Sequence, residues 1–280
     1  GMLNIGLDFR TKNSRISGSI EFYEKQMDDL YGPSAIDVTT GRGGTSITKN
    51  VGAMKVNGVD IALNSVNINR GIRWTTSFIF NTHKDRVTQL LDSSYFGSSS
   101  VGGGFLGLKG YPPFAYLAYR WGGLDPSTGD PQGFINNQIS KDYYGITGTG
   151  TTISDVKNIG SLLPTIFGSI GNTVSWKGIS ITAQLTYKFG YFFRRESASY
   201  GNLVYNYSGG YSDYAQRWQK PGDEKTTNIP SCMVPAKTVR ERVDHGSEVL
   251  ATKGDHIRLQ YVNINYDLKK DHLNKLPFND

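Results

Sequence analysis

Histidine, cysteine, clustered acids and glycine-rich turns are where chemistry would reside in this chain, and their spacing restricts it severely. The histidines are His83, His245, His256 and His272. None stands four residues from another on a shared face, the spacing a helical zinc site needs, so they read as scattered surface residues. Cys232 is the sole cysteine. It cannot close an internal disulfide and reads as a free thiol in a loop. Asp125-Pro126-Ser127-Thr128-Gly129-Asp130 has the outline of a calcium loop, yet Ser127 and Gly129 occupy the third and fifth positions and the closing Glu is missing. Proline followed by glycine between aspartates is turn chemistry instead. Gly102-Gly103-Gly104-Phe105-Leu106-Gly107 matches a dinucleotide fingerprint by spacing. The helix that would present amides to a pyrophosphate cannot follow, because Leu108 to Pro113 contains Gly110, Pro112 and Pro113. Carboxylates such as Glu21, Asp60, Asp213 and Glu241 are dispersed, and no nucleophile signature accompanies them. An enzyme is not expected, and neither a metal nor a cofactor.

Aromatic residues give a different signal. Tyr143, Tyr144, Tyr214 and Trp218 lie in long polar stretches. There they could stack on a sugar ring or meet a covering protein, with packing inside the loop as the alternative. These four are the candidate ligand-binding residues. Trp74, Phe78, Tyr187 and Phe189 fall instead on strand faces, where a lipid-facing band with an interfacial girdle is the better reading.

The elements that must position these residues are strands. Ile179, Ile181, Ala183, Leu185, Tyr187 and Phe189 alternate with Ser180, Thr182, Gln184, Thr186 and Lys188. Period two over that length means a strand with one apolar and one polar face. Leu3–Phe9, Ile16–Phe22 and Ile72–Phe80 behave alike, and no segment of similar length keeps a helical period. The face changes phase between Tyr261 and Val262, and again between Leu63 and Val66. Since a one-residue slip inverts every later side chain, each change predicts a β-bulge or a strand leaving its sheet.

Connections of two lengths join the strands. Thr11–Ser14, Asn69–Gly71 and Trp176–Gly178 are tight, whereas roughly 26–55, 84–113, 136–163 and 190–255 are long. Asp125–Asp130 forms a fourth turn between Tyr116–Trp121 and Gln132–Ile135. In an up-and-down arrangement all tight turns fall on one side, as in outer-membrane barrels. About nine antiparallel strands result, in one all-β unit covering residues 1–280.

Composition agrees. The 280 residues include 34 glycines and 17 tyrosines, and only 37% are apolar. That mix favours strands, turns and exposed loops over helices. No stretch is long enough for a membrane-spanning helix, but a spanning strand needs only about 9–11 alternating residues. The net charge of +6 comes from scattered residues, which argues against nucleic-acid binding and is compatible with lipid phosphates. Gly1-Met2 opens no basic and apolar leader, so the chain reads as a soluble protein or part of a longer exported one.

Six segments in order give a resemblance. They are Leu3–Phe9 with Arg15–Tyr23, Asn57–Leu63 leading to Trp74 and Asn81, Gly123–Pro131, Ser175–Ser180, Arg217-Trp218 with Pro230, and Ile257–Tyr266. Together they span almost the whole chain, which resembles the C-terminal barrel portion of SusC/RagA-type TonB-dependent receptors. The resemblance implies a large plugged barrel in the cell outer membrane, of about 22 strands. It implies import of oligosaccharides or peptides with a SusD-like lipoprotein at the outer mouth, and energy from TonB through a plug that this chain lacks. Two final strands are also expected beyond Tyr266, so the chain alone is expected to transport nothing. Open edges cannot stay unpaired in lipid, and in isolation an open or rearranged sheet is expected. The alternative reading is a soluble extracellular β-protein that binds carbohydrate or mediates adhesion, since an apolar face can meet a second sheet as well as lipid.

Overall fold

The computed structural model describes residues 1–35, 39, 46–90, 100–103, 107–148, 151–209 and 211–267. Part of the Gly102–Gly107 stretch, His272 and the segment after Asp267 lie outside the described residues. Strands β1 (Met2–Arg10), β2 (Ile16–Ala35), β3 (Ser46–Asn69) and β4 (Ile72–Leu90) open the main sheet. A first excursion holds β5 (Ala115–Tyr119), β6 (Gly133–Ile135), β7 (Gln138–Ser140) and β8 (Val156–Ser161). The chain returns through β9 (Ile166–Trp176) and β10 (Ile179–Phe189). A second excursion carries β11 (Phe192–Arg194) and β12 (Ala251–Lys253) before β13 (His256–Tyr266).

The main sheet has seven strands in the order β1-β2-β3-β4-β9-β10-β13, every neighbour antiparallel. It is up-and-down, as the alternation implies. Its tight connections, 11–15, 70–71 and 177–178, all fall at one end, and the long excursions leave from the other. Lys177 and Gly178 both take positive φ, 50° and 88°, which makes a two-residue turn whose twist matches the flanking strands.

The expected count of nine strands is corrected to seven in this sheet. Tyr116–Trp121 and Gln132–Ile135 do not join it; β5 pairs with β8, and β6 with β7, inside the first excursion. Short extended segments look alike in sequence whether they span or fold back. The stretches 84–113 and 136–163, with the Asp125–Asp130 turn, therefore make one excursion between β4 and β9. Strands also continue further into the polar stretches than their apolar patterns reach, as β2 and β3 pair from Ile16↔Ser65 out to Ala35↔Ser46.

Register converts alternation into two surfaces. Residues directly opposite each other share a face, so Leu7, Ile20, Ile61, Phe80, Gly168, Tyr187 and Ile257 form one continuous row across all seven strands. Phe9, Gly18, Leu63, Phe78, Ile170, Leu185 and Leu259 form another. The opposite face is mainly polar, with rows such as Asp8, Ser19, Ala62, Ile79, Ser169 and Thr186. The phase change expected near Tyr261 is a bulge, whereas Leu63 to Val66 pair without interruption, Val66 falling on the polar face, and the second bulge comes only after Val66. The shift opposite Gln184 and Leu185 leaves Gln260 unpaired, which returns Val262, Ile264 and Tyr266 to the apolar face. The shift between Val66 and Ile68 does the same for Ile68.

The apolar face is open: Leu7 is 64% and Ile257 67% exposed. From Ile72 to Thr82 the face takes ten residue steps. At about 3.3 Å per residue and a tilt of about 40° this gives a band about 25 Å tall, the height of a barrel's hydrocarbon belt. Each large side chain transferred there from water stabilises by about 1.5–3 kcal/mol.

One aromatic clamps the band. Tyr187 donates its hydroxyl to the Ile79 carbonyl at 2.9 Å and lies across Gly168, where a Cβ would come within 2.5 Å of that hydroxyl and 2.0 Å of the Ile79 oxygen. Gly168→Val in the full-length protein is expected to lower stability by about 1–3 kcal/mol through overpacking. Thermal unfolding followed by gel mobility would register this as a lower midpoint, and an unchanged midpoint would contradict it.

Candidate functional site

The two excursions fold into a body above the long-loop end of the sheet. Its first core joins Ala115, Leu117, Tyr119, Ile146, Val156 and Val243, so it contains residues of both excursions. A second core gathers Ala198, Tyr200 and Ile229, with Leu203, Tyr211 and Tyr214 against it. Short helices α1 (Tyr143–Thr147), α2 (Tyr200–Tyr205) and α3 (Thr238–His245) complete it. The body also touches the sheet directly: Val87 and Tyr111 exchange a strand-like pair, Val87 N donating to Tyr111 O at 2.9 Å and Gly110 N to Val87 O at 2.8 Å.

At its centre lies the Asp125–Asp130 turn. Asp125 Oδ1 accepts from Ser127 N at 2.8 Å and Ser127 Oγ at 2.6 Å, while Lys141 Nζ donates to Asp125 Oδ2 at 2.5 Å. These donors, the lysine ammonium first, hold the Asp125 carboxyl well below the usual carboxylate range. Gly129 takes φ +67°, and a Cβ there would stand 2.4 Å from the Trp218 ring. Glycine is therefore required twice over, by the turn and by the indole lying on it.

Arg240 on α3 completes this joint. Its Nε donates to Asp130 Oδ1 at 2.8 Å and its Nη2 to Ser231 O at 2.9 Å, with the side chain only 2% exposed. Ser231 N in turn donates to Gly129 O at 2.9 Å. The turn thereby ties α3, the segment 229–231 and Trp218 together.

Three of the four candidate aromatics meet around this joint. Tyr143 donates its hydroxyl to Pro131 O at 3.1 Å and packs on the first core; burial pushes its phenol up to about 12. Trp218 is 8% exposed, with its ring on Gly129 and Nε1 directed to Glu224 at 3.4 Å. Tyr214 supports the second core and carries the Arg217 guanidinium 4.3 Å above its ring. Tyr144, in contrast, is 74% exposed and presents its ring to solvent. A groove of about 660 Å³ runs beside the joint, lined by Thr128, Asp130, Arg217, Trp218 and Ser231, with the exposed Cys232 at its side.

Sequence reasoning missed Arg240 and Asp244. Arg240 finds Asp130 across 110 positions, and nothing local marks it. Asp244 is 3% exposed and its Oδ1 has no partner; burial, with Asp213 and Glu241 nearby, raises its carboxyl to about 7 despite Arg240 and Arg195. The histidines stay apart: His245 Nε2 lies 3.3 Å from Ala198 O, and His256 Nδ1 2.8 Å from Gly254 O. Among the described residues no three metal-binding side chains come together.

Comparison with known proteins adds the remaining observation. No family model matches the chain. It is 26% identical to the TonB-dependent receptor P39 of Formosa agariphila across 98% of its own length, and 23% identical to receptor P3 of that organism across 98%. The TonB-dependent receptor SusC of Bacteroides thetaiotaomicron is 31% identical over 33% of the chain. Among solved structures, the RagAB peptide transporter superposes with a TM-score of 0.72 over 99% of the chain at 21% identity. The chain is similar to SusC-like TonB-dependent receptors along nearly its whole length. It spans about 30% of P39, 27% of P3 and 29% of the matching RagAB chain. The similarity places the chain in the outer membrane, where a barrel turns such an open apolar face to lipid.

Two outcomes test the loop body. Arg240→Ala empties the buried guanidinium site, leaves the partly buried Asp130 and Ser231 O without their donor, and is expected to cost about 3 kcal/mol. Limited proteolysis should then cut near residues 125–131, where the native receptor resists. Asp244 supplies the second. A carboxyl with a raised folded pKa keeps its proton in the folded body while the unfolded chain loses it, so stability falls as pH rises from about 4 to about 7. Asp244→Asn should flatten that slope in pulse proteolysis, matching wild type near pH 4 and exceeding it at pH 8.

Proposed function

We propose that the receptor containing this chain imports oligosaccharides or peptides across the outer membrane, driven by TonB and assisted by a SusD-like lipoprotein seated over the loop body. The carrying observation is the asymmetry of the sheet. Three tight turns close one rim and a folded body with two cores rises from the other, with a lipid-height apolar band between. A passive wall needs no such body, whereas long ordered excursions are usually functional. The relatives carry receptor and transporter names, and RagAB is named a peptide transporter, which supports a cargo of this class.

Within this reading the candidate aromatics divide by role. Tyr144, with its exposed ring, and the Arg217 face beside Tyr214 are the surfaces open to a ligand or a covering protein. Tyr143 and Trp218 are the supports that fix them. The soluble alternative needs a second sheet over the apolar face; among the described residues no such sheet packs there.

Deleting the gene for the full receptor should abolish growth on the cognate oligosaccharide or peptide while growth on small sugars or amino acids continues. A tagged receptor should co-purify a SusD-like lipoprotein. Tyr144→Ala should weaken uptake at limiting substrate by roughly three- to tenfold, the loss of one aromatic contact worth about 1 kcal/mol. Unimpaired growth of the deletion strain on every such polymer would overturn the proposal.

A further inference from the structure

The tight-turn rim has a charge pattern that import does not explain. Each hairpin carries a cation at its tip: Lys12 in the first, with Arg15 closing that turn, Arg70 in the second and Lys177 in the third. None of these tips contains a carboxylate. Asp267, just past β13, comes beside the third tip, its backbone N–H donating to Gly178 O at 2.7 Å. Arg10 and Arg73 also lie at this end but on the polar face, opposite Ser17 and Ser175.

Geometry shows where one of these charges stands. Trp176 shares the apolar face with Ile72, Ile179 and Tyr266. The Lys177 ammonium lies 4.9 Å from the centre of the Trp176 ring, so it is folded toward the lipid side of the rim. Trp74, one rung above, has its indole N–H on Asn172 Oδ1 at 3.0 Å. The hydrocarbon band thus ends in indole rings and a tyrosine, followed at once by cations. Along a bilayer normal the same order runs from acyl chains through the interface to lipid phosphate.

We propose that this rim is a docking belt for anionic phospholipids of the inner leaflet, with Lys12, Arg70 and Lys177 meeting their headgroup phosphates. The inference rests on the barrel reading of the sheet, which places short turns on the periplasmic side. Charge complementarity selects the occupant. A zwitterionic headgroup sets its own cation against the rim, whereas phosphatidylglycerol offers net negative charge at the depth of the tips. A surface lysine or arginine near such lipid is worth about fivefold in binding, and three together about a hundredfold at low salt.

The test uses the intact receptor in detergent, titrated with phosphatidylglycerol or phosphatidylcholine, with retained lipids counted by native mass spectrometry. Wild type should hold phosphatidylglycerol at least tenfold more strongly, and the preference should shrink with added salt. The variant Lys12→Gln, Arg70→Gln, Lys177→Asn should hold both lipids equally. Asparagine suits the left-handed first position of that turn, so Lys177→Asn alone keeps the hairpin and should lose about fivefold. Parity in wild type, or an undiminished preference in the variants, overturns the proposal and in the first case leaves the cations to an acidic periplasmic partner. Heat-modifiable mobility separates the two levels of inference. A folded barrel with lipid parity removes only the belt, whereas a receptor that never forms a lipid-inserted barrel removes the reading beneath it.

Discussion

A backbone amide surrounded by hydrocarbon has no water to bond, and everything in this structure follows from that restriction. Each N–H and C=O of a spanning segment must find a partner on a neighbouring strand. Pairing along the whole length of β9 and β10 satisfies it, from Ile179↔Trp176 to Phe189↔Ile166. Continuous pairing then fixes register, and register decides the face of every side chain. The rows through Leu7 and Phe9 exist because seven strands obey one register, corrected by a bulge wherever sequence and pairing fall out of step. Gln260 shows the economy of the device: one unpaired residue returns Val262, Ile264 and Tyr266 to the lipid side.

Above the band water is present again and the ladder is no longer obligatory. The loop body is organised by side chains, and its joint is a turn of six residues. Aspartate caps it, glycine admits an indole, and a buried arginine closes it. Such an ion pair is a weak source of net stability but a strong determinant of arrangement, because either partner alone is costly to bury. Asp244, close to the same arginine and without a partner on Oδ1, shows that the body tolerates a buried carboxyl where helix α3 meets both cores.

The sequence made the sheet legible to the extent that period two and turn chemistry are local properties. Ile179 to Phe189 announces its strand, Trp176–Gly178 its hairpin, and the Tyr261–Val262 phase change its bulge. The body was much harder to read. Ala115–Tyr119 is buried on both faces, so it lacks the alternation that separates a spanning strand from an internal ribbon, and it was counted with the barrel. Arg240 sits in an ordinary polar helix, and its partner stands 110 residues away. Tyr143, Trp218 and Tyr144 belong to one pattern in sequence, yet two are supports and one is open to solvent. Aromatic content marks a region, whereas burial assigns the role.

The strands do not all end together. β2, β3 and β4 run to 20, 24 and 19 residues, while β9, β10 and β13 each stop at 11. The outer mouth is therefore oblique on this flank of the wall, with a tall parapet of hydrogen-bonded ribbon next to a low sill that bears the folded body. Ribbon resists bending through its ladder, whereas the body depends largely on side-chain contacts such as Arg240 with Asp130. Anything that settles on this opening meets a stiff shoulder on one side and a yielding one on the other, and would rock about the line between them.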